Sequence, residues 1–400
     1  MLILVANLGS TSFKCRLFEM ESGAERELAQ GSADRIGQTE SQWSAATSSV
    51  HGEREQGTID LPDHAAAIRL HLDAMERMGA VASMDRIGAV GFKAVHGGPI
   101  SGAVRVDDHV IETMQQFADV APAHNPPYIA AMRAFERILP EVPQVAAFET
   151  AFHQSIPRAR QIYAIPWEWT EDLGIRRYGF HGASHRYVAT RLGEIAPDAK
   201  RVINLHLGGS CSVCAIEGGK SVANSFGMTA QSGVFHNNRV GDFDAFALLK
   251  LDAAGLDRDT IFRRLGKEGG LLGISGVSPD MREVRQAADA GDERAALAVE
   301  AFVESCRHYL GAYLVALGGA DAISFTGGIG QNDAELRSRI CAGLDFAGIA
   351  IDEAKNGEVA RDAEQRVDAA GSRAAVWVLP TNEELIVARQ TRDVLTGQDG

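Results

Sequence analysis

The sequence predicts an α/β protein with two domains. Its 400 residues exceed what one ordinary hydrophobic core holds together, so two domains are expected. Short apolar runs, which are typical of strands, alternate with longer segments that have the periodicity of helices. A strand–turn–strand pattern near the N-terminus also recurs in the second half of the chain.

The first predicted element is a β-hairpin. The apolar run Leu2–Ala6 leads into a Gly/Ser turn at Gly9–Ser12, and Phe13–Phe18 follows as a second strand. A later helix is opened by the two prolines after Asn125, because proline suits the first turn of a helix. The further elements are predicted as a helix at 62–79, a strand at 87–95, the helix at 126–139, a strand at 144–149 and a long, largely buried helix at 292–318.

The composition excludes two classes of partner. The chain is 45% hydrophobic and 23% charged, as expected of a globular protein. Its formal net charge of −14 argues against binding to nucleic acid or to an anionic membrane, because both require a basic surface. An acidic protein that handles anions must gather its cationic side chains locally. Basic residues within glycine-rich loops are therefore the informative ones.

The chain is expected to be soluble and cytoplasmic. No apolar run reaches the roughly 18 to 20 residues of a membrane span, and the N-terminus lacks the basic segment of a secretory signal. The five cysteines are odd in number and unpatterned, which suits a reducing compartment. Cys211 and Cys214 would face opposite sides of a strand, which disfavours a metal or redox role.

Three Gly/Ser loops are candidates for phosphate binding. They are Gly9–Ser12 with Lys14, His206–Ser210, and Phe325–Asn332, and tight turns of this kind present backbone N–H groups to anions. None is a Walker A loop. The segments Val5–Cys15 and Asn204–Cys214 also resemble each other, as expected of a duplicated two-domain kinase with a nucleotide between the halves. Chance similarity of two hairpins explains the resemblance equally well.

The segment Arg176–His185 is rich in cationic groups. It carries two arginines and two histidines around a Gly-flanked turn, and His181 and His185 would share one face of a helix. This spacing also suits zinc, but no glutamate follows the first histidine and no third ligand is evident. A cluster of donors for phosphate oxygens is the favoured interpretation. A core or capping role remains an alternative for His185.

These segments, with several others, resemble the motifs of acetate kinases. The motifs follow the order of that family and span nearly the whole chain, so the sequence is identified as a member of the acetate kinase family. The matching segments are Asn7–Ser12 with Lys14, Val95–Gly98, Ala121–Pro126, Phe148–Gln154, Arg176–His185, Gly270–Gly276, Phe325–Asn332 and Thr381–Glu384.

The resemblance implies a fold and an activity. The fold is two actin-like (ribonuclease H-like) domains, with mixed sheets flanked by helices and a nucleotide cleft between them. Residues 1–150 and 151–385 would form the domains, and a helix at 386–400 would return to the first. The implied activity is reversible, in-line phosphorylation of a short-chain carboxylate, acetate above all, to acyl phosphate and ADP. ATP is the co-substrate, Mg²⁺ the cofactor with Mn²⁺ as an alternative, and the assembly a homodimer.

The resemblance also implies roles for individual residues. Glu149, His181 and Arg239 match the catalytic positions, and Asn7 and Glu383 match the metal ligands, with the adjacent Glu384 less favoured. Positions matching the substrate pocket are Lys93, Val95, Ala123, Phe180 and Ala230. Positions matching the ATP contacts are Lys14, His206, Leu207, Gly208, Gly209, Ser210, Asp280, Met281, Arg282, Gly328, Ile329, Gly330, Gln331 and Asn332.

Several positions depart from the family pattern near the reacting groups. Lys93 stands for an arginine, so the point charge of an ammonium replaces a planar guanidinium that can donate two parallel hydrogen bonds. Glu149 stands for an aspartate, so its carboxylate extends further by one methylene. Gly209 stands for an asparagine, followed by Ser210 for a glycine. Phe235–Asn238 replaces two apolar residues, a glycine and a threonine. A nucleotide-binding paralogue with weakened catalysis is therefore an alternative to an active kinase.

The substrate pocket is also altered. Ala123 stands for a leucine and Ala230 for a proline, and both changes reduce side-chain volume. The added space predicts room for further methylene groups, each worth about 0.8 kcal/mol when buried. Propionate or butyrate is therefore an alternative preferred substrate, unless the longer Glu149 refills the space.

Overall fold

The structure, a computed structural model, describes residues 1–21, 24–49, 52–118 and 124–398. Its strands are β1 (Leu2–Leu8), β2 (Ser12–Glu21), β3 (Ala24–Asp34), β4 (Ser41–Thr47), β5 (Arg54–Ile59), β6 (Ile87–Ala94), β7 (Ala103–Arg105), β8 (Gln144–Phe148), β9 (Arg201–Leu207), β10 (Cys211–Glu217), β11 (Lys220–Asn224), β12 (Ala322–Thr326), β13 (Gln365–Arg366) and β14 (Ala375–Val378).

The helices are α1 (His64–Arg77), α2 (Asp108–Gln116), α3 (Asn125–Ile138), α4 (Arg158–Gln161), α5 (Trp167–Leu173), α6 (Gly182–Ile195), α7 (Ala247–Ala253), α8 (Arg258–Lys267), α9 (Gly270–Ser275), α10 (Met281–Asp289), α11 (Glu293–Leu317), α12 (Gly327–Asn332), α13 (Ala334–Cys341), α14 (Glu353–Gly357) and α15 (Glu383–Thr396). The hairpin, helices and strands predicted from the periodicity are present, with bounds that differ by a few residues.

The chain divides into two compact units, Met1–Ala151 with the segment from Asn382 onward, and Phe152–Thr381. The sheet of the first unit has the order β5-β4-β3-β2-β1-β6-β8-β7. Strands β1 to β5 pair antiparallel, β1, β6 and β8 run parallel, and β7 is antiparallel to β8. Helices α1 and α3 cover one face of this sheet over a core that includes Leu4, Phe92 and Phe135. The mixed sheet implied by the resemblance is thus confirmed for this unit.

Helix α15 covers the opposite face of the same sheet, against β1, β6 and β8. The packing is close, since a Cβ on Gly91 would lie 2.4 Å from Thr391 Oγ1. The sequence predicts this helix over 386–400, but it spans Glu383–Thr396. The start is earlier because the Asn382 side chain accepts a hydrogen bond from a backbone N–H of the first turn. Two adjacent glutamates therefore lie in that turn, where the helix dipole favours negative charge.

The second unit contains a sheet of order β11-β10-β9-β12-β14-β13. Strands β9, β10 and β11 pair antiparallel, β9, β12 and β14 run parallel, and β13 is antiparallel to β14. The long helix α11 packs on one face, where Phe302 and Leu310 are fully buried. Helix α6 packs on the other face through Val188 and Leu192.

The two segments that resemble each other in sequence also occupy equivalent places in the two sheets. Each forms an antiparallel hairpin, β1–β2 in one unit and β9–β10 in the other. The first strand of each hairpin pairs in parallel with the next strand inward, β6 or β12. The resemblance therefore extends to topology, which chance similarity of two isolated hairpins does not explain.

Within the described residues, no helix has both the length and the apolar character needed to cross a membrane. The five cysteines are buried and free. Cys211 and Cys214 both lie on β10, where an offset of three places them on opposite faces. Burial raises the pKa of both thiols to about 12, so they are unreactive core residues.

Candidate active site

The first part of the candidate site lies at the carboxyl ends of three parallel strands of the first unit. Side chains alternate between the faces of a strand, so Asn7 on β1 faces the same side as Val5, toward α15. By the same alternation, Lys93 on β6 and Glu149, directly after β8, also face α15. In open α/β sheets, ligands bind beside the carboxyl ends of strands.

Lys93 is surrounded by carboxylates. Its ammonium forms an ion pair with Glu383, in the first turn of α15, and lies 3.8 Å from Glu149 Oε1. These side chains are largely buried, with 18% of Lys93 and 6% of Glu149 exposed. Burial lowers the pKa of Lys93, but the charges of Glu383, Glu149 and Glu384 outweigh it and raise the pKa well above its ordinary value. The ammonium therefore stays charged, and the carboxylates offset part of that charge.

A second polar cluster surrounds Asn7. The Tyr128 hydroxyl donates to Asn7 Oδ1 over 3.2 Å, and the Asn7 amide nitrogen donates to Glu384 Oε1 over 3.4 Å. Arg16 Nε lies 3.8 Å from the other oxygen of Glu384. A cavity of about 450 Å³ opens beside these residues, and Lys14 also lines it. Asn7 thus contacts Glu384, whereas Glu383 is engaged by Lys93.

This oxygen-rich cluster fits a magnesium ion. The cluster contains three carboxylates, those of Glu149, Glu383 and Glu384, and two cations, those of Lys93 and Arg16. The Arg16 guanidinium is also paired with a further glutamate. The balance of charge is therefore negative. Mg²⁺ is commonly held by one or two carboxylates together with waters and substrate phosphates. In the part of the chain that the structure describes, no group of three or more His, Cys, Asp or Glu is placed to hold a metal by itself.

A larger cavity, of about 870 Å³, lies in the second unit. Its walls come from the β9–β10 turn, the start of α10 and helix α12. Gly327 begins α12 with a φ of 78°, and a Cβ there would lie 2.5 Å from the Leu207 carbonyl oxygen. Glycine is therefore required where α12 starts against β9. The lining residues are Gly208, Gly209, Asn237, Asp280, Met281, Arg282, Arg285, Gln286, Asp289, Gly328, Ile329, Asn332, Asp333 and Arg361.

The glycine segment at Gly327–Asn332 is a helix, whereas the sequence predicts a loop that precedes a helix. The cause lies in Arg337, which is 1% exposed. Its guanidinium donates to the carbonyls of Gly330 and Gln331 over 2.9 and 2.8 Å, and to Asn356 Oδ1 over 2.7 Å. Carbonyls at the end of a helix lack hydrogen-bond donors within the helix, and the Arg337 guanidinium provides those donors. A buried cation therefore stabilises one wall of the cavity.

Asp280 and Arg282 form the edge of the cavity at the start of α10. Asp280 caps this helix by accepting the Arg282 backbone N–H over 2.9 Å. The Arg282 side chain and then its backbone N–H lower the pKa of Asp280 to about 2, so the carboxylate is ionised at neutral pH. The Arg282 side chain itself is 90% exposed and can turn toward a ligand.

His181 lies where the chain enters α6, at the carboxyl end of β9. It caps this helix in the left-handed region, with a φ of 57°. Its ring centroid lies 4.2 Å from that of His206, and its Nδ1 lies 2.9 Å from Ser212 Oγ. His185 is fully buried and bonded on both nitrogens, to Asn204 and to Ser212. His185 is therefore a core residue, and the zinc alternative for the two histidines gains no support.

Arg239 carries a guanidinium that is partly buried. Among the described residues it forms no ion pair, and its Nη1 donates to the carbonyl of Ala230 over 2.7 Å. Burial lowers its pKa from the ordinary value of an arginine. A charge in such a place is costly unless it is paired. This guanidinium is thus poised for an anionic ligand.

Comparison with known proteins identifies the family of this chain. The sequence profile of the acetokinase family matches residues 2–389. The chain belongs to the acetokinase family. Members of this family are phosphotransferases with a carboxyl group as acceptor.

The relatives of this acetokinase include enzymes named for two different acids. It is 39% identical over 394 residues to an acetate kinase of Shouchella clausii, covering 97% of this chain and 98% of the relative. It is 43% identical over 392 residues to a propionate kinase of Citrobacter rodentium, covering 97% and 95%. Crystal structures of an acetate kinase from Porphyromonas gingivalis (37% identical, TM-score 0.88) and a propionate kinase from Francisella tularensis (34%, TM-score 0.89) each cover 98% of this chain and 99% of their own.

The positions predicted for ATP fall into two groups in this acetokinase. Gly208, Gly209, Asp280, Met281, Arg282, Gly328, Ile329 and Asn332 line the larger cavity. Of the other predicted residues that the structure describes, His206, Leu207, Ser210, Gly330 and Gln331 do not line it, and Lys14 lines the smaller cavity beside Asn7. The Leu207 side chain is core, and His206 Nδ1 lies 2.8 Å from Ser184 Oγ.

The residues predicted for the acyl group lie in both units. Lys93 contacts Glu383 and lies near Glu149, and Val95 packs partly buried against the core of the first unit. In the second unit, Phe180 is buried with its ring edge-on to Phe226, with centroids 5.8 Å apart, and the Ala230 carbonyl accepts from Arg239. Ala123 lies outside the described residues.

The sequence reasoning missed several residues that shape the site. Tyr128 and Arg16 adjoin the Asn7 cluster, and Arg337 supports α12. Tyr128 follows the Pro-Pro pair of α3, but only the placement of that helix beside β1 reveals its contact. A lone tyrosine or arginine carries no signal of its own. The residues missed beside His181 and in the larger cavity are Ser184, Asn204, Ser212 and Arg285.

Proposed function

We propose that this acetokinase transfers the terminal phosphoryl group of ATP to a short-chain carboxylate, reversibly and with Mg²⁺, to give an acyl phosphate and ADP. The observation that carries the proposal is the partly buried guanidinium of Arg239, which forms no ion pair with any carboxylate that the structure describes. In-line phosphoryl transfer spreads negative charge over three equatorial oxygens, so catalysis needs positioned cations more than acid–base groups. Arg239 and His181 supply such groups in the second unit.

The first unit would provide for the acceptor and the metal. A carboxylate is already ionised at neutral pH, so the acceptor needs no general base. We therefore assign Glu149 an orienting role toward Lys93, from which it is 3.8 Å distant. Asn7, Glu384 and Glu383 would hold Mg²⁺, with Mn²⁺ as an alternative. When bound, the metal neutralises charge on the phosphates of the nucleotide.

The second unit would hold the nucleotide in its larger cavity. The volume of about 870 Å³ suits a ligand of nucleotide size. Gly208, Gly209 and Gly328 line the cavity, and glycines allow phosphates to approach the backbone closely. Arg282 and Arg285 lie at the same wall and can contribute positive charge.

The proposal is tested by trapping the product with hydroxylamine. Acyl hydroxamate should form from ATP, Mg²⁺ and at least one of acetate, propionate and butyrate, and it should disappear with EDTA. Arg239→Met should lower kcat on the order of 100-fold or more, since it removes a transition-state cation. Binding of ATP without product from any of these acids would contradict the proposal and favour a nucleotide-binding paralogue.

A preference for an acid longer than acetate is a second candidate. Propionate kinases stand among the relatives beside acetate kinases at comparable identity. The pocket positions Ala123 and Ala230 carry small side chains. Each further methylene that is buried contributes about 0.8 kcal/mol, or a factor of about four in kcat/KM. Comparison of kcat/KM for acetate, propionate and butyrate decides this point, and a clear preference for acetate would remove the candidate.

We further propose a cytoplasmic homodimer. Five free, buried cysteines suit a reducing compartment. Several large apolar side chains around α7 and α8 are exposed, namely Phe243, Phe246, Leu249 and Phe262, and surfaces of this kind commonly mark protein contacts. Light scattering coupled to size exclusion should give twice the chain mass for the wild type and a smaller mass for Phe246→Glu. A monomeric wild type would contradict the dimer.

A further inference from the structure

A continuous chain of hydrogen bonds runs through the interior of the second unit and ends at His181. Ser324 Oγ donates to Asn204 Oδ1 over 2.8 Å, and Asn204 Nδ2 lies 2.8 Å from His185 Nδ1. His185 Nε2 lies 2.8 Å from Ser212 Oγ, which lies 2.9 Å from His181 Nδ1. Ser324, Asn204, His185 and Ser212 are fully buried, so water does not compete for these bonds.

The strands explain how this chain forms. Asn204 on β9 is paired in register with Ser324 on β12, and Ser212 on β10 is opposite His206. The alternation of the strands directs these polar side chains toward the face that α6 covers. His185 lies in the first turns of α6 and bridges the two strands.

The hydrogen bonds from Asn204 to His181 can all be donated in only one direction. An amide nitrogen can only donate, so Asn204 makes His185 Nδ1 an acceptor, and the proton of His185 lies on Nε2. His185 therefore donates to Ser212, and the Ser212 hydroxyl is left to donate to His181 Nδ1. Burial, together with the nearby histidines His153 and His206, lowers the pKa of His185 well below its ordinary value, which agrees with a neutral ring.

We propose that Asn204, His185 and Ser212 are positioning residues that fix His181 as the tautomer protonated on Nε2. In this form His181 presents an N–H donor without having to become a cation. The catalytic consequence rests on the proposed function, in which that donor stabilises the transferring phosphoryl group. The tautomer itself does not depend on that function.

The decisive variant is Asn204→Asp, which has nearly the same shape but only accepts. A carboxylate demands a proton on His185 Nδ1, and burial disfavours a second proton on Nε2. With His185 neutral, Ser212 then donates to His185 and accepts from His181. The proton of His181 moves to Nδ1, and Nε2 loses its hydrogen. Loss of one such donor should lower kcat about 100-fold, with the KM for ATP within about threefold.

The readout is the nitrogen-15 NMR spectrum of the full chain with labelled histidine, assigned through His181→Gln. His181 should be protonated on Nε2 in the wild type and on Nδ1 in Asn204→Asp. The matched control is Ser221→Ala, which removes a buried hydroxyl 2.8 Å from His153 Nδ1 and should leave both His181 and kcat unchanged. A wild-type His181 protonated on Nδ1 would overturn the proposal without any variant. The expected tautomers without acyl phosphate formation would instead count only against the proposed function.

A second, independent observation concerns Asn237. Its side chain lines the larger cavity beside Gly209, and a Cβ on Gly209 would lie 3.8 Å from Asn237 Nδ2. The backbone N–H of Asn237 also points to the Gly209 carbonyl, 3.5 Å away. The Asn237 amide oxygen is buried and has no hydrogen-bond partner among the described residues, so no bond from that atom to them holds the side chain.

At Gly209 and Asn237 the sequence departs from the family pattern by exchanging the same two residue types. Gly209 stands where the family pattern has an asparagine, and Asn237 stands where it has a glycine. We infer that Asn237 supplies, from the facing loop, a carboxamide donor for a nucleotide phosphate. This inference rests on the proposed binding of ATP in this cavity, and it deepens that proposal by adding a residue.

A double-mutant cycle tests the exchange through ATP binding measured by calorimetry, without turnover. Asn237→Gly should weaken binding about tenfold, as expected for one hydrogen bond to a charged group. Adding Gly209→Asn to that variant should restore binding to within about threefold of the wild type. The control is Asn238→Gly, one residue further along the same loop, which should bind as the wild type does. Unchanged affinity in Asn237→Gly, or losses that add in the double variant, would overturn the inference. No ATP binding by the wild type would refute the cavity assignment itself.

Discussion

At the scale of single residues, Lys93 shows how burial and charge decide what a side chain can do. The sequence presents it as an anion-binding group in place of an arginine. In the folded chain it is shared by Glu383 and Glu149, so its charge also stabilises two buried carboxylates. One ammonium thus links the position predicted for the acceptor to a position predicted for the metal.

This arrangement predicts opposite effects for two substitutions. Lys93→Met removes the ammonium that Glu383 and Glu149 share and should lower the free energy of unfolding by about 3 kcal/mol or more. Mg²⁺ should recover part of that loss, because in the proposed site it would supply positive charge to the same carboxylates. Lys93→Arg keeps the charge and should cost far less. Denaturant unfolding with and without Mg²⁺ measures both, and equal stability of the Met variant and the wild type would contradict the ion pairing.

The motifs predicted the residue types of this cluster but not its contacts. Asn7 and the two adjacent glutamates could be found because each lies in a recognisable segment. That Asn7 touches Glu384 while Lys93 takes Glu383 depends on where α15 begins and on the register of β1 against β6. Residues hundreds of positions apart meet only through that geometry, which no local pattern contains.

At the scale of elements, helix α12 shows why glycine-rich segments are hard to predict. Glycine disfavours helices by about 1 kcal/mol per residue, so the sequence favours a loop at Gly327–Gly330. Tertiary contacts reverse that preference, since Arg337 binds the carbonyls at the end of the helix. The longer helices α3 and α11 follow from their periodicity, which extends over several turns, and the two prolines after Asn125 mark the start of α3.

Arg337 should therefore matter more than its distance from the cavity suggests. Arg337→Ala leaves buried carbonyls and an amide without their donor, and should cost about 3 to 5 kcal/mol of stability. It should also weaken nucleotide binding, because Gly328, Ile329 and Asn332 of α12 line the cavity. The matched control is Arg339→Ala on the same helix, whose side chain is 38% exposed and should change stability by less than about 0.5 kcal/mol. Thermal unfolding and ATP titration measure the two effects. Equal stability and equal ATP affinity of the two variants would contradict the role of Arg337.

At the scale of the whole molecule, two units repeat one plan: a hairpin, parallel strands beside it and helices on both faces of the sheet. In each unit the candidate residues lie at the carboxyl ends of the parallel strands. The length and the repeated hairpin predicted two domains and their α/β class. The boundaries at 150 and 385 stay a prediction, which limited proteolysis tests through the sizes of the stable fragments.

The second unit also buries neutral histidines, which makes the fold sensitive to acid. Burial lowers the pKa of His153 to about 4, and burial likewise lowers the pKa of His185 and His236 well below the ordinary value. Below pH 6.5 the unfolded chain binds protons that the folded chain refuses, so stability falls as the pH drops toward 4. His153 alone would account for about 3 kcal/mol of this loss at pH 4. Denaturation at pH 7.5 and 5 should show a smaller decrease for His153→Gln than for the wild type. An identical decrease would contradict the assignment.

The proposed function depends most on two groups of the second unit, His181 and Arg239, serving one phosphoryl transfer. The most direct measurement is a double-mutant cycle of kcat with His181→Gln, Arg239→Met and the double variant, each with normal ATP binding as the control for folding. Residues that act in one step are non-additive, so each single variant should lose about 100-fold or more, and the double variant should be little worse than the poorer single one. Losses that multiply fully, or an Arg239 variant with wild-type kcat, would contradict this function.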